Sequence, residues 1–477
     1  MGETGRSRAS AAVERSLAAL DGVIASCAAL LLVYLVAGRI DLGFLTVSRV
    51  SKPLLVLLLL ASLRAAVPRG SWLTRGLGRA RARVAGAVAD AETRTPWAPA
   101  AVDAAVAVLT VHVVAKLTTF YANLLFPQAQ AGQPRMPFEA EKLAQAFAAW
   151  DSGWYFEIAR RGYFVNADGQ NAIAFFPLYP LLVRALAWPF GGTERALWAA
   201  GIVLSYACLF LGLAVLHRLT ATRFGDRETA RRTVLYVAVF PFAFFFTMVY
   251  TESLFLFLSV SAVFAATASR WGLAGALGFL VALTRPNGVL IAVPLGLLAL
   301  GGRPRPLELL RRALAVALVP AGLALHSAHA WQLTGDPLGW LRAQDAWGYS
   351  LGHRPWVELM KVLDGLEKHG AYGYFLSDPL APYYLLHGAV ALAVVALVPT
   401  VFVRLGLARG AYVALTLYIP LTGNALEGIG RYAATLFPAF MLLGQVRSPR
   451  VHEAILIGSA LVLSLLTSLF VGFYPMY

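Results

Sequence analysis

Apolar residues in this chain come in long runs broken by short polar stretches. Asp21–Gly38, Pro53–Val67 and Ala454–Gly472 are each close to the ~20 residues a helix needs to cross a bilayer. The runs do not alternate apolar with polar positions, which excludes a membrane barrel. The pattern predicts an all-α polytopic membrane protein with about 11 to 13 transmembrane helices and outer-face loops that carry interfacial helices. Expected spans lie near 20–38, 51–68, 99–126, 195–216, 233–250, 253–269, 313–330, 383–403, 411–423, 432–446 and 454–472. Two shorter helices, near 272–284 and 288–300, meet at Arg285-Pro286-Asn287-Gly288, where proline and glycine mark a break. Phe175–Phe190 has prolines, aromatic edges and Arg184 inside it, and reads as an interfacial helix. No internal repeat is visible. Two regions are expected: 1–96, a transmembrane hairpin with a basic cytoplasmic loop, and 97–477, the main membrane domain. The latter has a first outer loop at 127–194 and a late outer segment at 331–382.

Composition strengthens the reading. Hydrophobic residues make up 59% of 477 and charged ones 14%, with a mean hydropathy of +0.66. The net charge of +15 sits in short loops, such as Arg69, Arg75, Arg79, Arg81 and Arg83, then Arg218, Arg223, Arg227, Arg231 and Arg232. That distribution is the positive-inside signature and places those loops in the cytoplasm. It also argues against nucleic acid as a partner, since no aromatic and basic platform accompanies the charge. Arg6, Arg8 and Arg15 precede the first apolar run, as in a retained signal-anchor. Cys27 and Cys208 fall inside predicted spans and read as small core hydrophobes. This threading gathers Asp151, Glu157, Glu252, Asp336, Asp345, Asp378 and Glu427 on the outer side.

The first of these acids opens WDSGWYFEIARRGY, Trp150–Tyr163. Asp151 heads a helical pattern, so it suits either an N-terminal cap or a carboxylate beside the headgroups that accepts a proton. Glu157 is four residues from Arg161 and suits a helix-surface ion pair. Arg285 and Arg431 stand at helix ends, where a buried cation needs an anion. A lipid phosphate would meet that need by bidentate hydrogen bonds, and so would an ion pair with Glu252 or Glu427. Lys116 and His112 lie one turn apart in the third span, suited to a cavity or to helix packing. His326 and His329 have no flanking acid at ligand spacing, and there is no HExxH, DxD, Walker loop or GxSxG. No metal and no cofactor are expected.

Five blocks in order carry a resemblance: Trp150-Asp151-Ser152-Gly153-Trp154-Tyr155; Phe175-Phe176-Pro177-Leu178-Tyr179-Pro180; Tyr250-Thr251-Glu252-Ser253-Leu254-Phe255; Thr284-Arg285-Pro286-Asn287-Gly288; and Gly430-Arg431-Tyr432 with Phe437-Pro438. Over about 150–440 the chain resembles the PIG-V-like mannosyltransferases, relatives of GPI mannosyltransferase II among the GT-C membrane glycosyltransferases. The resemblance implies a GT-C-like fold with an essential acid in the first outer loop, here Asp151 as general base. It also implies transfer of a hexose, typically mannose, from a polyprenyl-phosphate donor to a lipid-linked or secreted acceptor. Arg285 and Arg431, with Arg160 and Arg161 behind them, are the expected donor-phosphate ligands. Trp150, Trp154, Tyr155, Tyr179, Glu252 and Asn287 are expected around the substrate cavity. Ser152-Gly153 replaces bulkier residues common in the family, so acceptor preference does not carry over. Alanine-, arginine- and glycine-heavy usage suggests a bacterial plasma membrane with the site facing the periplasm; in a eukaryote it would face the ER lumen. The rival readings are a transporter or flippase of a lipid-linked sugar and an envelope-glycan ligase.

Overall fold

The structure is a computed structural model. It describes residues 97–125, 147–349, 356–377, 381–423 and 428–472, with isolated pieces at 19–26, 40–41, 46–47, 60, 95, 352 and 354. The chain divides into two units, 1–98 with 136–143, and 99–135 with 144–477. Within the first, residues 19–26 are helical and Ile40–Asp41 pairs antiparallel with Thr46–Val47. The rest of the two expected N-terminal spans, the basic loop after them and Cys27 lie outside the described residues.

The described part of the second unit is all-α. Its helices are α1 (Ala98–Leu125), α2 (Ser152–Arg161), α3 (Leu178–Ala187), α4 (Glu194–Phe224), α5 (Arg227–Val239), α6 (Glu252–Thr267) and α7 (Trp271–Ala282). Then follow α8 (Ala292–Ala299), α9 (Pro306–Thr334), α10 (Val357–Ser377), α11 (Ala381–Leu405) and α12 (Leu407–Thr422). The chain closes with α13 (Ile429–Ala434), α14 (Phe437–Leu443) and α15 (Pro449–Val471). Among the described residues, α1, α4, α9, α11 and α15 are long and apolar enough to cross a membrane. The chain is thus an all-α, multi-pass membrane protein.

Packing follows small residues. On α1, Ala100, Ala104, Ala107, Val111, Ala115 and Ala122 recur at helical spacing and are buried, while Val106, Leu109, Val113 and Leu117 on the other face are exposed. Small side chains let helix backbones approach closely where lipid supplies no hydrophobic drive. The α7–α9 contact uses the same device: a Cβ on Gly275 would collide with the Ala315 carbonyl, and one on Gly322 with the Phe279 carbonyl. Between α4 and α5, Asp226 accepts from the N–H groups of Glu228 at 3.0 Å and Thr229 at 3.1 Å and also pairs with the Thr229 hydroxyl. Those bonds, the hydroxyl's first, hold its carboxyl below the usual carboxylate range.

Two expected spans are corrected. The one at 233–250 is not a single helix, because α5 stops at Val239 ahead of Pro241, which has no N–H to donate. Phe242–Tyr250 instead forms a buried knot with a 3-10 turn at Ala243–Thr247. Its carbonyls find internal donors: Ser253 Oγ reaches Phe246 O at 2.8 Å, and Thr247 Oγ1 reaches Phe244 O at 2.8 Å. Irregular backbone at membrane depth is tolerated when protein covers it. The span at 432–446 is likewise split into α13 and α14 ahead of Pro438. α3 and the Trp188–Phe190 turn replace the expected interfacial stretch. Tyr179, Val183 and Ala187 are buried on one face, and Leu181, Leu186, Trp188 and Phe190 are exposed. Ten residues rise ~15 Å, too short for a ~30 Å hydrocarbon core.

Candidate active site

Asp151 stands immediately before α2, with helical backbone angles (φ −59°, ψ −17°), and its carboxylate caps no N–H of that helix. The capping role is therefore not the one it plays. Its place is fixed from several sides. Trp150 holds φ at 55°, a region bulky residues rarely occupy, and its indole N–H donates to Phe470 O at 3.2 Å. The Asp151 N–H donates to the Tyr250 hydroxyl at 3.0 Å, which in turn donates to Ala149 O at 3.0 Å. At the far end of α2, Arg184 of α3 donates to Ala159 O at 2.6 Å and to Ile158 O at 3.2 Å, the latter shared with the Gly162 N–H at 3.0 Å, which ties the last turn of α2 to α3.

The carboxylate meets an arginine from the other end of the chain. Arg431 Nη1 donates to Asp151 Oδ2 at 2.7 Å, and Arg431 Nε donates to Glu252 Oε1 at 2.7 Å. Arg285 Nη1 lies 3.2 Å from that same Glu252 oxygen. The result is a chain of alternating charge, Asp151–Arg431–Glu252–Arg285. Side-chain exposure along it is 25%, 11%, 0% and 8%, so only Asp151 has substantial access to the outside. Aromatic rings wall the guanidinia. Arg431 lies 5.2 Å from the Phe245 centroid and 4.8 Å from Tyr250, and Arg285 lies 4.7 Å from Tyr432. Each arginine needs the acids, since a buried cation without an anion is strongly disfavoured.

Asp151, Arg285 and Arg431 open into one cavity of about 360 Å³. Beside them Tyr155, Thr284, Gln344, Tyr349 and Tyr432 contribute polar groups, and Val289, Leu290, Ile419 and Pro420 contribute apolar ones. The fold positions Arg285 by breaking the helix pair: its backbone is extended (φ −156°) before a 3-10 turn over Pro286–Ile291. Gly288 packs so tightly under the Val281 carbonyl that no Cβ fits there.

Several expected residues sit elsewhere. Arg160 and Arg161 do not line the cavity. Both pair with Glu157 on an exposed face, at 2.8 and 2.9 Å, and Arg160 also reaches Glu194 at 3.3 Å. Their position nine and ten residues along α2 carries them ~13–15 Å from Asp151. Trp154 is stacked between Phe164 (5.2 Å) and Phe175 (5.3 Å), so it supports the cavity wall through Phe175. Tyr179 backs Tyr155 at 5.4 Å, and its hydroxyl donates to Gly201 O at 3.0 Å. Asn287 is buried behind the cavity with neither amide atom partnered among the described residues. His112 lies 2.7 Å from the Tyr206 hydroxyl, and Lys116 lies over the Phe147 ring at 3.7 Å; neither lines the cavity. His326 packs against Phe176 at 4.3 Å and His329 against Tyr163 at 5.2 Å. Among the described residues, no group of three or more His, Cys, Asp or Glu side chains could hold a metal ion. Asp336 pairs with Arg342 at 3.0 Å and, like Asp345, is not part of the cavity. Asp378 and Glu427 lie outside the described residues. Thr284 was not named as a cavity residue although it opens the block that holds Arg285; Gln344 and Tyr349 were not expected there, folding brings them in, and no local pattern marks them.

Residues 106–298 match the sequence model of the mannosyltransferase (PIG-V) family. The resemblance holds over that stretch, which includes Asp151, Glu252 and Arg285 and stops short of Arg431. GPI mannosyltransferase 2 of Drosophila melanogaster is 26% identical over 176 residues, 32% of this chain and 37% of that protein. GPI mannosyltransferase 2 of Yarrowia lipolytica is 26% identical over 186 residues, 39% of this chain and 50% of that protein. The chain thus spans half or less of the length of these relatives. Among solved structures, the archaeal oligosaccharyltransferase AglB from Archaeoglobus fulgidus, in complex with an inhibitory peptide and a dolichol-phosphate, matches 76% of this chain and 56% of that one. Its TM-score is 0.39 and its sequence identity 14%.

Proposed function

We propose that this protein is a membrane mannosyltransferase of GT-C type. It takes a hexose, mannose in this reading, from a polyprenyl-phosphate donor and places it on an extracytoplasmic glycolipid, glycan or protein. The observation that carries the proposal is the opening of Asp151, Arg285 and Arg431 into one cavity that also has an apolar wall. A lipid-phosphate sugar needs those three surfaces: apolar contact for the isoprenoid, cations for the phosphate, and a carboxylate at the reacting hydroxyl.

The chemistry is a displacement at the anomeric carbon. The acceptor oxygen forms a bond to C1 while the bond from C1 to the phosphate oxygen breaks. The acceptor proton passes to Asp151, and the electron pair leaves with the polyprenyl phosphate. Asp151 Oδ2 is already held by Arg431, so Oδ1 is the oxygen left to take the proton. General-base help of this kind contributes about 10²–10⁴-fold. The leaving phosphate gains a negative charge that fixed guanidinia stabilise without reorganising.

A panel of polyprenyl-phosphate sugars offered to the purified protein with cell-envelope acceptor extract tests the reading. Sugar transfer from the mannosyl donor is expected, and intact donors throughout would refute it. This reading puts the site on the extracytoplasmic side. Accordingly, a cysteine introduced at the exposed Ala167 should label with an impermeant maleimide from outside, and one at the exposed Arg227 should not. The reverse pattern would overturn that orientation.

A further inference from the structure

The proposed function offers two arginines to the donor phosphate, and their contacts are not equivalent. Arg431 has two of its five N–H groups committed at 2.7 Å, to carboxylates on different parts of the chain, while two aromatic rings flank each guanidinium alike. Among the described residues Arg285 makes one ion pair, at 3.2 Å, and its Nη1 meets the distance but not the geometry of a hydrogen bond. Both arginines border the cavity. Glu252, fully buried, offers one oxygen to both guanidinia, and its second oxygen has no partner among the described residues.

Resting on that functional reading, we infer that the two arginines have separate tasks: Arg285 binds the donor phosphate, and Arg431 positions Asp151, with Glu252 the buried counter-ion for both. Arg285 has the donor capacity that the two non-bridging oxygens of the donor's phosphodiester require, and the third oxygen as the sugar leaves. Arg431 already spends its strongest contacts on the base. Its link to Asp151 Oδ2 fixes the orientation of the carboxylate. The groups facing Asp151 are Arg431, the Tyr250 hydroxyl on its backbone N–H, and Tyr155 beside it in the cavity. Glu252 stands across Arg431. Loss of Arg431 therefore touches the base before it touches the phosphate. Glu252 and Arg431 are positioning residues, since each acts through another group.

The test measures binding of polyprenyl phosphate and steady-state transfer from polyprenyl-phosphate mannose, with the full chain in lipid nanodiscs. Arg285→Gln is expected to weaken polyprenyl-phosphate binding and raise donor KM about tenfold or more, the scale of a lost charge-assisted hydrogen bond. Arg431→Gln is expected to leave binding within about twofold and lower kcat by about 10². Arg431→Lys keeps the charge but cannot bridge two carboxylates, so it should recover only part of kcat; it carries the comparison if the glutamine variant does not fold. Equal losses of polyprenyl-phosphate binding in Arg285→Gln and Arg431→Gln would overturn the division of tasks alone. A wild-type protein that neither binds polyprenyl phosphate nor transfers sugar would overturn the functional reading beneath it.

Discussion

Replacing Asp151 with asparagine is expected to reduce sugar transfer by about 10²–10⁴-fold while leaving the protein folded and inserted. Asparagine has nearly the same shape, so it can still accept a hydrogen bond from Arg431 through its amide oxygen. It cannot take the acceptor proton at working pH. Asp151 is also the most exposed member of the charge chain, which limits the cost of neutralising it. Size-exclusion and thermal-melt profiles should therefore stay close to wild type. Donor turnover at the wild-type rate in Asp151→Asn would remove the general-base assignment.

The second large effect is on stability. Glu252→Gln leaves two nearly buried guanidinia without the carboxylate they share, 0% exposed and in contact with both. Breaking a buried pair by removing one partner costs about 3–5 kcal/mol. That corresponds to a fall in melting temperature of about 3–5 °C for a chain of 477 residues. Glu157→Gln is the matched control. Its partners, Arg160 and Arg161, have side chains 43% and 53% exposed, and surface pairs of that kind contribute about 1 kcal/mol or less. A melt in detergent reads both. Equal small shifts in the two variants would mean that Glu252 is not the counter-ion holding the site together.

Much of this was legible in the sequence, and the reasons differ by element. α1, α4, α9, α11 and α15 stand where uninterrupted apolar runs place them, because a crossing helix needs little beyond length and apolarity. Asp151 stood out as an acid among aromatics, and Arg285 and Arg431 as cations at helix breaks that would need anions. Hydropathy failed at Phe242–Tyr250, since burial in protein and burial in lipid select the same residues. Proximity in sequence misled the placement of Arg160 and Arg161: a helix turns and carries them away from the residue they nearly adjoin. The link from Arg431 to Asp151 spans 280 positions, and no local spacing encodes it. Glu252 was a possible partner for either arginine, but one oxygen serving both is a property of the packed fold.

The most direct measurement follows the donor itself. The full-length protein in liposomes would be given polyprenyl-phosphate mannose and an envelope acceptor extract, with intact donor, free polyprenyl phosphate and mannosylated acceptor quantified together by mass spectrometry. Polyprenyl phosphate and mannosylated acceptor should appear in equal amounts with wild type, while Asp151→Asn leaves the donor bound and intact. Movement of uncleaved donor across the bilayer, with no mannosylated acceptor formed, would instead identify a carrier of lipid-linked sugar and contradict the account.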